Sequence, residues 1–431
     1  MSKFFGLILS VTMLALCSGC SDIPALNNVA SMLDQPASDD HASISDGYSP
    51  STETEFVPSV KLPPKDPHAF SIGLVLPTDA SHQAVAKSLR QGLELAVAEE
   101  NAAGGINGQP IQLDLVDSSP AALGALRDHG EAVILVGDAS LAIAQATQLA
   151  DYPQLVGFLC DYVSVPKLTP KNGVRIYLNG DQEARAIESY LEAAEVDHVT
   201  IVHTNDLLGE SHQQYMLYLI SANHSVVTAA EAYTPGERDF ALLAKAVYHS
   251  GNEVLIMAGN GLEYPSILTA FDAAGWTGIV LGYAGNSGLA PLTSVGRLEQ
   301  TAAYPLPEFA INPRATEAGR AFADKYLAKY GEDPGLAAAY AYDNIYVLAA
   351  AATQAASNDP KKIRDSFIAL HNYTGAAGRY DIKDDGDTEM PLRLWRAGGQ
   401  PAPELRSSVP ATLPANLQKL PSSGFSPANQ P

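Results

Sequence analysis

Three stretches of the sequence bring together residue types that could catalyse acyl transfer or bind a metal ion or a phosphate. Ser164 and Lys167, in the segment SVPK, have the S-x-x-K spacing of serine acyl-transferases. The run DIKDDGDTE, at 381–389, is rich in carboxylates around a glycine, like a calcium-binding loop. A cluster of glycines at 104, 105 and 108 could cradle a phosphate. The elements around each stretch decide whether that chemistry is possible.

The segment SVPK does not fit the acyl-transferase arrangement. That chemistry needs the serine at a helix start with the lysine one turn on, but Pro166 keeps Val165 out of helical geometry. No K-T-G follows, and the sequence contains no H-E-x-x-H or G-x-S-x-G and, apart from Cys17 to Cys20 at the N-terminal apolar run, no C-x-x-C. Its ten histidines are scattered without the spacing of metal ligands. We therefore expect a protein that is not an enzyme and that has no metal site and no cofactor.

The acidic run lacks ligands that a calcium loop requires. Its third position is Lys383 and its twelfth is Leu392, so the bidentate carboxylate is missing. A hairpin turn between strands at Arg379 to Ile382 and Met390 to Trp395 explains the run better.

The glycine cluster lies between a helix and a strand, in the opposite order to a phosphate loop. Upstream, apolar residues recur every fourth position and predict a helix from about Ser81 to Asn101, whereas Ile111 to Val116 alternate as in a strand. A glycine at 104 or 105 can end the helix in the left-handed conformation, and Gly108 fits the turn into the strand. The cluster therefore predicts a corner rather than a nucleotide site.

Composition and charge restrict the class of protein. The 431 residues, 46% hydrophobic and 17% charged, are enough for two globular domains. The formal net charge of −22 repels nucleic-acid phosphates, so we expect no nucleic-acid partner. Cys160, within the run LVGFLC, is expected to be a buried small apolar residue.

Residues 1–19 have the layout of a secretory signal, with a lysine, an apolar run and then small residues before the cut. Ser18, Gly19 and Cys20 resemble the lipobox of bacterial lipoproteins, although Cys17 stands where that family usually has leucine. The resemblance implies lipidation of Cys20 and attachment to the membrane through this anchor only. Secretion without a lipid is the alternative.

Two further segments have the composition of disordered chain. Residues 20–67 are rich in Ser, Asp, Pro and Asn, and residues 401–431 are rich in proline. Neither has a sustained apolar period, which predicts a disordered tether and a disordered tail.

Between these ends, short apolar runs alternate with amphipathic stretches, which predicts an α/β fold. The strands fall into two series, each about the size of one doubly wound domain. We therefore expect two doubly wound lobes with parallel-rich sheets and a ligand cleft between them. The predicted strands are Phe70–Leu76, Ile111–Val116, Ala132–Val136, Leu155–Cys160 and Arg175–Leu178, then His198–His203, Ser225–Ala229, Glu253–Ala258 and Gly278–Leu281. Further helices are predicted at Ser211–Ala222, Phe240–Ser250, Glu263–Ala274, Thr316–Tyr330 and Gly335–Ala356.

Five stretches carry a resemblance: EENAAGGINGQPIQLDLVD, VSVPKLT, TPGERDFALLAKAV, AYAYDNIYVLAAAA and GAAGRYDIKDDGD. Taken in order, they resemble the branched-chain amino acid-binding proteins of ABC importers, which have the periplasmic solute-binding fold of the first type. The resemblance covers roughly Phe70 to Gly399. It implies two lobes, at 68–180 plus 307–374 and at 181–306 plus 375–400. Three hinge crossings join them, near Leu178–Asp181, Tyr304–Glu308 and Asn372–Ala377.

The resemblance also implies how such a protein works. A small-molecule ligand closes the two lobes, and an ABC permease recognises the closed form. The expected location is the periplasmic face of the bacterial cell envelope, at the outer or the inner membrane.

The family holds the α-carboxylate of an amino acid with hydroxyl and backbone N–H groups from the loops after the third and fourth strands. Here those loops are GDAS and CDYVSVPKLT, at 137–140 and 160–169. Ser164 falls on the family's hydroxyl position; a turn hydroxyl is its alternative role. Leu141 falls on an aligned serine, and Ser140 lies one position before it. Asp138 fits a cap for the helix from Leu141.

Three positions depart from the family's pattern. Ala284 stands where the family has an acidic partner for the α-ammonium, and Leu208 and Asn260 stand where it has aromatic residues. A buried ammonium without its carboxylate is strongly destabilised. Asp161 and Tyr162 could replace that partner from the opposite lobe. The alternative is a ligand that is an amide, an aromatic acid or another small polar molecule.

Asp79, His82 and Tyr340 are further candidates, because they fall on loops or helix starts at the cleft side of this arrangement. Two functions are consistent with these residues. One is a lipid-anchored solute-binding protein that delivers a small polar ligand, amino acid-like or amide-like, to an ABC importer. The other is a lipoprotein without a transport role that senses a ligand or regulates an envelope enzyme on the same fold.

Overall fold

The computed structural model describes residues 62–78, 82–160, 172–221, 226–250, 254–259, 263–283, 302–396 and 400–401. The predicted signal peptide, the lipidation site at Cys20 and nearly all of the predicted tether and tail lie outside the described residues. None of the described helices has the length and apolarity that a bilayer-spanning segment needs.

Strands and helices alternate along the described chain. The strands are β1 (Phe70–Leu76), β2 (Ile111–Asp117), β3 (Val133–Val136), β4 (Leu155–Phe158), β5 (Gly173–Arg175), β6 (His198–Thr204), β7 (Val226–Tyr233), β8 (Val254–Ala258), β9 (Ile279–Gly282), β10 (Ala303–Leu306), β11 (Tyr373–Thr374), β12 (Arg379–Ile382), β13 (Thr388–Glu389), β14 (Arg393–Arg396) and β15 (Gln400–Pro401). The helices are α1 (Gln83–Ala102), α2 (Pro120–His129), α3 (Ala139–Ala144), α4 (Ala146–Ala150), α5 (Gly180–Ala193), α6 (Leu207–Ser221), α7 (Ala241–Ser250), α8 (Tyr264–Ala273), α9 (Glu308–Ile311), α10 (Glu317–Tyr330), α11 (Leu336–Ala355) and α12 (Pro360–Ile368).

The first lobe is built on a five-stranded sheet with the order β2-β1-β3-β4-β5, in which every pair is parallel. β1, β3 and β4 are buried along their whole length. Such continuous burial is expected of central strands in a parallel sheet that is covered on both faces. α1 packs against α11, and α2 and α12 contact the sheet.

The second lobe is built on a seven-stranded sheet with the order β15-β14-β10-β9-β8-β6-β7. The strands from β10 to β7 pair in parallel, and β14 and β15 extend the edge in antiparallel pairing. α5 packs against α6, and α7 against α8. The predicted α/β fold of two lobes with parallel-rich sheets is therefore confirmed.

The glycine cluster forms the predicted corner. α1 ends at Ala102, and Gly104, Gly105 and Gly108 have φ angles of 111°, 74° and 78° before β2 begins. These positive φ angles lie in the region that glycine tolerates best. The cluster follows a helix and does not open one.

The acidic run contains a turn, but the predicted hairpin was wrong in its second strand. β12 pairs with the short β13, whereas β14, which covers the second half of the predicted partner strand, pairs with β10 of the second sheet. Trp395 fixes this pairing, because its Nε1–H donates to the carbonyl of Leu306 at 3.1 Å. A long-range pairing thus replaces the local one that the sequence pattern suggested.

Within the described residues, the chain passes between the two lobes three times. The first passage joins β5 to α5 and the second joins β10 to α9, at the predicted positions. Residues 375–389 still contact the first lobe, since Arg175 N–H donates to the Gly386 carbonyl at 2.8 Å. The third passage therefore lies at 390–392, later than the predicted Asn372–Ala377.

Candidate functional site

α3 begins at the carboxyl end of β3 and carries two of the predicted contact residues. Oδ1 of Asp138 accepts the N–H of Leu141 at 2.9 Å, which confirms Asp138 as the cap of this helix. Leu141 is 7% exposed and lies in an apolar cluster, whereas Ser140 is exposed. The inward position of α3 is therefore the leucine and not the serine.

α6 begins at the carboxyl end of β6, in the second lobe. Oδ1 of Asp206 accepts the Thr204 hydroxyl at 2.9 Å and the Gly209 N–H at 2.8 Å. A Cβ atom at Gly209 would lie 2.2 Å from Oγ1 of Thr204, so this position requires glycine. The cap and the close approach together fix the first turn of α6, which carries Leu208.

Leu141 and Leu208 come together although they belong to different lobes. α3 packs against α6. Leu208 is 4% exposed and lies in the same buried apolar cluster as Leu141, Phe158 and Cys160. Because both helices follow the carboxyl ends of their strands, the two sheets approach each other at the edges where open α/β sheets bind ligands. Two predicted contact positions thus share one apolar contact between the lobes.

Cys160 is 5% exposed within this cluster, as predicted for a buried small apolar residue. Cys160 is the last described residue before the predicted contact loop at 161–169. The predicted contacts Asp79, Asp161, Tyr162, Ser164, Asn260 and Ala284 lie outside the described residues. They stay predictions.

Tyr340 occupies the hinge. Its side chain is fully buried, and its hydroxyl donates to Sδ of Met390 at 2.8 Å. Its ring lies against Tyr177 and Tyr380, with centroids 5.1 and 6.2 Å away. Tyr177 belongs to the first passage between the lobes and Met390 to the third. Tyr340 therefore joins two hinge segments, and its hydroxyl already has a partner within the protein.

Two polar residues of α11 make buried hydrogen bonds beside this hinge. Asp343 accepts the backbone N–H groups of Ala376 and Ala377 at 2.6 and 2.9 Å and the hydroxyl of Tyr380. Asn344 donates to the carbonyl of Ile176, in the first passage, at 2.9 Å. Burial raises the pKa of Asp343 to about 6, although the three donors act in the opposite direction.

A buried ion pair ties the first passage to the turn of the acidic run. Arg175 makes a two-pronged contact with Asp387, through Nε at 2.7 Å and Nη2 at 2.6 Å. Asn179 donates to the same carboxylate at 2.9 Å and caps α5 with its own side-chain oxygen. Despite the burial of its carboxyl, the Arg175 guanidinium keeps the pKa of Asp387 below its usual value. The acidic run thus uses Asp387 to hold the hinge.

Tyr283 directly precedes the predicted contact Ala284 and is a core residue of the second lobe. Its ring stacks on His212 of α6, with centroids 4.1 Å apart and 3° between the planes. Its hydroxyl donates to the backbone carbonyl of His212 at 3.3 Å. The end of β9 is therefore tied to α6, the helix that carries Leu208.

The hinge residues Asp343, Asn344 and Arg175 were not found from the sequence. The one local signal was the pair Asp343–Asn344 in the otherwise apolar stretch AYAYDNIYVLAAAA. Buried polar groups of this kind are hydrogen-bonded in folded proteins, but their partners lie in segments 30 to 170 residues away, beyond the reach of local patterns.

The sequence of the chain also matches a known protein family. A sequence profile described as periplasmic binding protein matches residues 69–401. The chain therefore belongs to the periplasmic binding protein family. Proteins of this family bind small solutes outside the cytoplasm and work with ABC transporters.

Similar proteins agree with this assignment. An amino acid binding protein of Pseudomonas aeruginosa is 24% identical over 330 residues, which cover 74% of this chain and 87% of that protein. The solved structure of the branched-chain amino acid transporter substrate-binding protein LivJ of Streptococcus pneumoniae, in complex with isoleucine, has a TM-score of 0.63 and 19% identity, and covers 76% of this chain and 96% of its own. An ABC transporter solute-binding protein of R. palustris, in complex with benzoate, has a TM-score of 0.64 and 16% identity, over 77% and 94% of the chains.

Proposed function

We propose that this protein is an extracytoplasmic, lipid-anchored solute-binding protein that captures a small polar ligand by hinge closure and delivers it to an ABC importer. The observation that carries the proposal is the contact of α3 with α6, where Leu141 of one lobe and Leu208 of the other share a buried cluster. A contact between two lobes that only three hinge segments join can be broken and remade by domain rotation. A ligand that binds across it would stabilise the closed form.

The side chains at the lobe contact restrict the chemical class of the ligand. Leu141 and Leu208 stand where the family has a hydroxyl and an aromatic group, so the ligand needs an apolar portion. Ala284 supplies no carboxylate for an ammonium group. We infer a small amino acid-like or amide-like ligand whose polar end is held by Ser164, Asp161 and Tyr162. The similar proteins solved with isoleucine and with benzoate show that this fold accepts small carboxylates with apolar bodies.

A second function has an observation in its favour. Leu208 and Leu141 are buried in one cluster composed of the protein's own side chains. Two lobes that are held together by their own side chains would present a fixed surface, which a partner protein could recognise. The alternative is therefore a lipoprotein that senses a ligand or regulates an envelope enzyme.

Thermal-shift screening separates ligand capture, by a transporter or a sensor, from the regulation of an envelope enzyme without a ligand. The purified chain would be heated with amino acids, amides and organic anions, including aromatic acids. A ligand at about one hundred times its Kd should add roughly 2.7 kcal/mol to the free energy of unfolding. Ser164→Ala should weaken the response to the ligand that is found. A panel without any response would reject the transport function and leave the regulator.

A separate experiment tests the lipid anchor. In bacterial cells, the wild-type chain should fractionate with membranes and carry a lipid on Cys20 by mass spectrometry. Cys20→Ser should release it to the soluble fraction. A wild-type chain that is already soluble and unmodified would contradict the anchor without affecting the ligand-binding proposal.

A further inference from the structure

A second cluster of polar residues lies in the first lobe, at the opposite ends of its strands from the lobe contact. It contains Asp114 of β2, His129 at the end of α2 and Glu131 just before β3. Their ligating atoms all lie within 4.8 Å of one another. Nδ1 of His129 is 2.5 Å from Oε1 of Glu131 and 3.7 Å from Oδ2 of Asp114. The spacing of these three residues along the chain matches no metal motif, so the sequence analysis did not predict a site here.

Both carboxylates are removed from water. Asp114 is 2% exposed and Glu131 is 3% exposed. Two neighbouring buried anions are costly unless cations compensate them. Oε2 of Glu131 is buried, and among the described residues no hydrogen-bond partner reaches it. Burial raises the pKa of the Glu131 carboxyl, although His129 and Ser71 lower it in part.

The histidine tautomer is fixed by a backbone group. Nε2 of His129 lies 3.0 Å from the carbonyl oxygen of Pro63. A carbonyl oxygen only accepts hydrogen bonds, so Nε2 must carry the proton. In the neutral ring, the lone pair of Nδ1 then faces the two carboxylates. A metal ion at this point would accept the lone pair of Nδ1 and oppose the charge of both carboxylates.

A divalent cation suits the charge and the geometry of the cluster. It would give the buried Oε2 of Glu131 a partner. A divalent ion neutralises both carboxylates. In known metal sites, a histidine ligand donates its other ring N–H to a backbone carbonyl or a carboxylate, and the bond from His129 to Pro63 has that form.

The cluster also borders a cavity that opens to solvent, and a neighbouring side chain holds the carboxylate of Asp114 in place. A cavity of about 440 Å³ is lined by Lys65, Ser71, Glu131 and Gln154, among other residues. Nε2 of Gln112 donates to both oxygens of Asp114, at 3.1 and 3.0 Å. This amide leaves the remaining lone pairs of Asp114 available for a cation.

We propose that Asp114, His129 and Glu131 form a binding site for a divalent transition-metal ion such as Zn²⁺. Imidazole and carboxylate groups are ordinary ligands of this ion, and three protein ligands leave a fourth position for water. Binding would widen the distance from Nδ1 to Oε1 from 2.5 Å to about 3.3 Å, as tetrahedral coordination requires.

The ion would fasten the N-terminal segment 63–66 to the first lobe. Pro63 accepts from His129, Lys65 Nζ donates to the Gly130 carbonyl, and Asp66 N–H donates to Oε1 of Gln112 at 3.0 Å. His129 and Gln112 each connect this segment to a ligand of the proposed ion. The segment is the last part of the predicted tether at 20–67, so the metal would set where the tether meets the folded lobe.

The experiment is a zinc titration of the full chain, purified in detergent and stripped with a chelator. We expect one equivalent of Zn²⁺ per chain by calorimetry and by elemental analysis. Glu131→Gln and His129→Gln should each weaken binding at least tenfold. His371→Gln is the matched control, because His371 is an exposed histidine 3.6 Å from Asp381 on the same lobe, and it should leave the affinity unchanged.

A second readout does not depend on affinity. Zinc should slow tryptic cleavage after Lys65 severalfold in the wild-type chain and should not do so in Glu131→Gln. Failure of the wild-type chain to bind one equivalent would overturn the proposal. Equal zinc affinity in the wild type and in Glu131→Gln would overturn it as well. Neither result bears on ligand capture at the lobe contact.

Discussion

Asp343 shows how a single buried carboxyl links the stability of the first lobe to pH. It accepts two backbone N–H groups and the Tyr380 hydroxyl, yet burial raises its pKa from the ordinary 3.8 to about 6. The folded protein therefore binds this proton more tightly than the unfolded chain does. The stability that this group contributes is complete below pH 3.8 and is lost as the pH rises through about 6, a change of about 3 kcal/mol in all.

The prediction for this residue compares the wild type with Asp343→Asn, which cannot ionise. The free energy of unfolding of the wild type minus that of the variant should fall by about 2 kcal/mol between pH 4.5 and pH 8. Urea unfolding at several pH values measures it. Asp365→Asn, in an exposed pair with Lys361, is the control and should stay within about 0.5 kcal/mol of the wild type. A pH-independent difference for Asp343→Asn would contradict the assignment.

At the scale of elements, the first turn of α6 matters most, because it presents Leu208 to the first lobe. It is held by the cap of Asp206 and by the packing of Gly209 against Thr204. A second glycine, Gly259, approaches the same threonine side chain from the end of β8 and has a φ of 121°. Thr204 is therefore enclosed by backbone on two sides, and α6 has little freedom to shift.

A pair of glycine-to-alanine changes tests this rigidity. Gly209→Ala should destabilise the protein by about 2–3 kcal/mol, because the added Cβ would overlap the hydroxyl and the carbonyl of Thr204. Gly124→Ala, within α2, has no atom within 4 Å of the added Cβ. It should stabilise the protein by about 0.5–1 kcal/mol, as alanine does in a helix. Chemical denaturation of both variants gives the answer, and equal effects would show that α6 can move.

At the scale of the whole molecule, two lobes of different sheet order share a hinge that is more polar than its surroundings. Tyr340 connects the first and third passages, and Asn344 and the Arg175–Asp387 pair hold the start of the first passage through directional bonds. The lobe contact itself is apolar, at Leu141 and Leu208. A hinge held by directional bonds keeps its path during motion, whereas an apolar contact can separate without leaving unpaired charges. The combination of a polar hinge and an apolar lobe contact suits a protein whose lobes open and close.

Leu208→Asn should shift the molecule toward an open form. Burial of one leucine contributes about 2 kcal/mol, so its loss from the closed form should change the ratio of closed to open molecules about thirtyfold. Small-angle scattering would record a larger radius of gyration than for the wild type. Leu242→Asn, at a position that is 84% exposed on α7, is the control and should leave the radius unchanged. An unchanged radius for Leu208→Asn would mean that this contact does not hold the lobes together.

Much of the fold could be predicted because its signals are local. The apolar runs of β1, β3 and β6, the apolar period of α1 and the glycines at 104–108 act over a few residues, and each formed as expected. The predicted partner of β12 failed because strand pairing with β10 joins residues about 90 positions apart. Pairing of that kind leaves no mark on the neighbouring sequence.

By itself, the sequence determined the α/β class, the two series of strands, the cap at Asp138 and the buried role of Cys160. These depend on side-chain polarity and backbone preference at neighbouring positions. Only the tertiary structure decided that Leu141 meets Leu208, that Tyr340 joins two hinge segments, and that Asp114, His129 and Glu131 converge. Each of these needs residues from separate elements to lie within a few ångströms, and only the packing of the folded chain sets those distances.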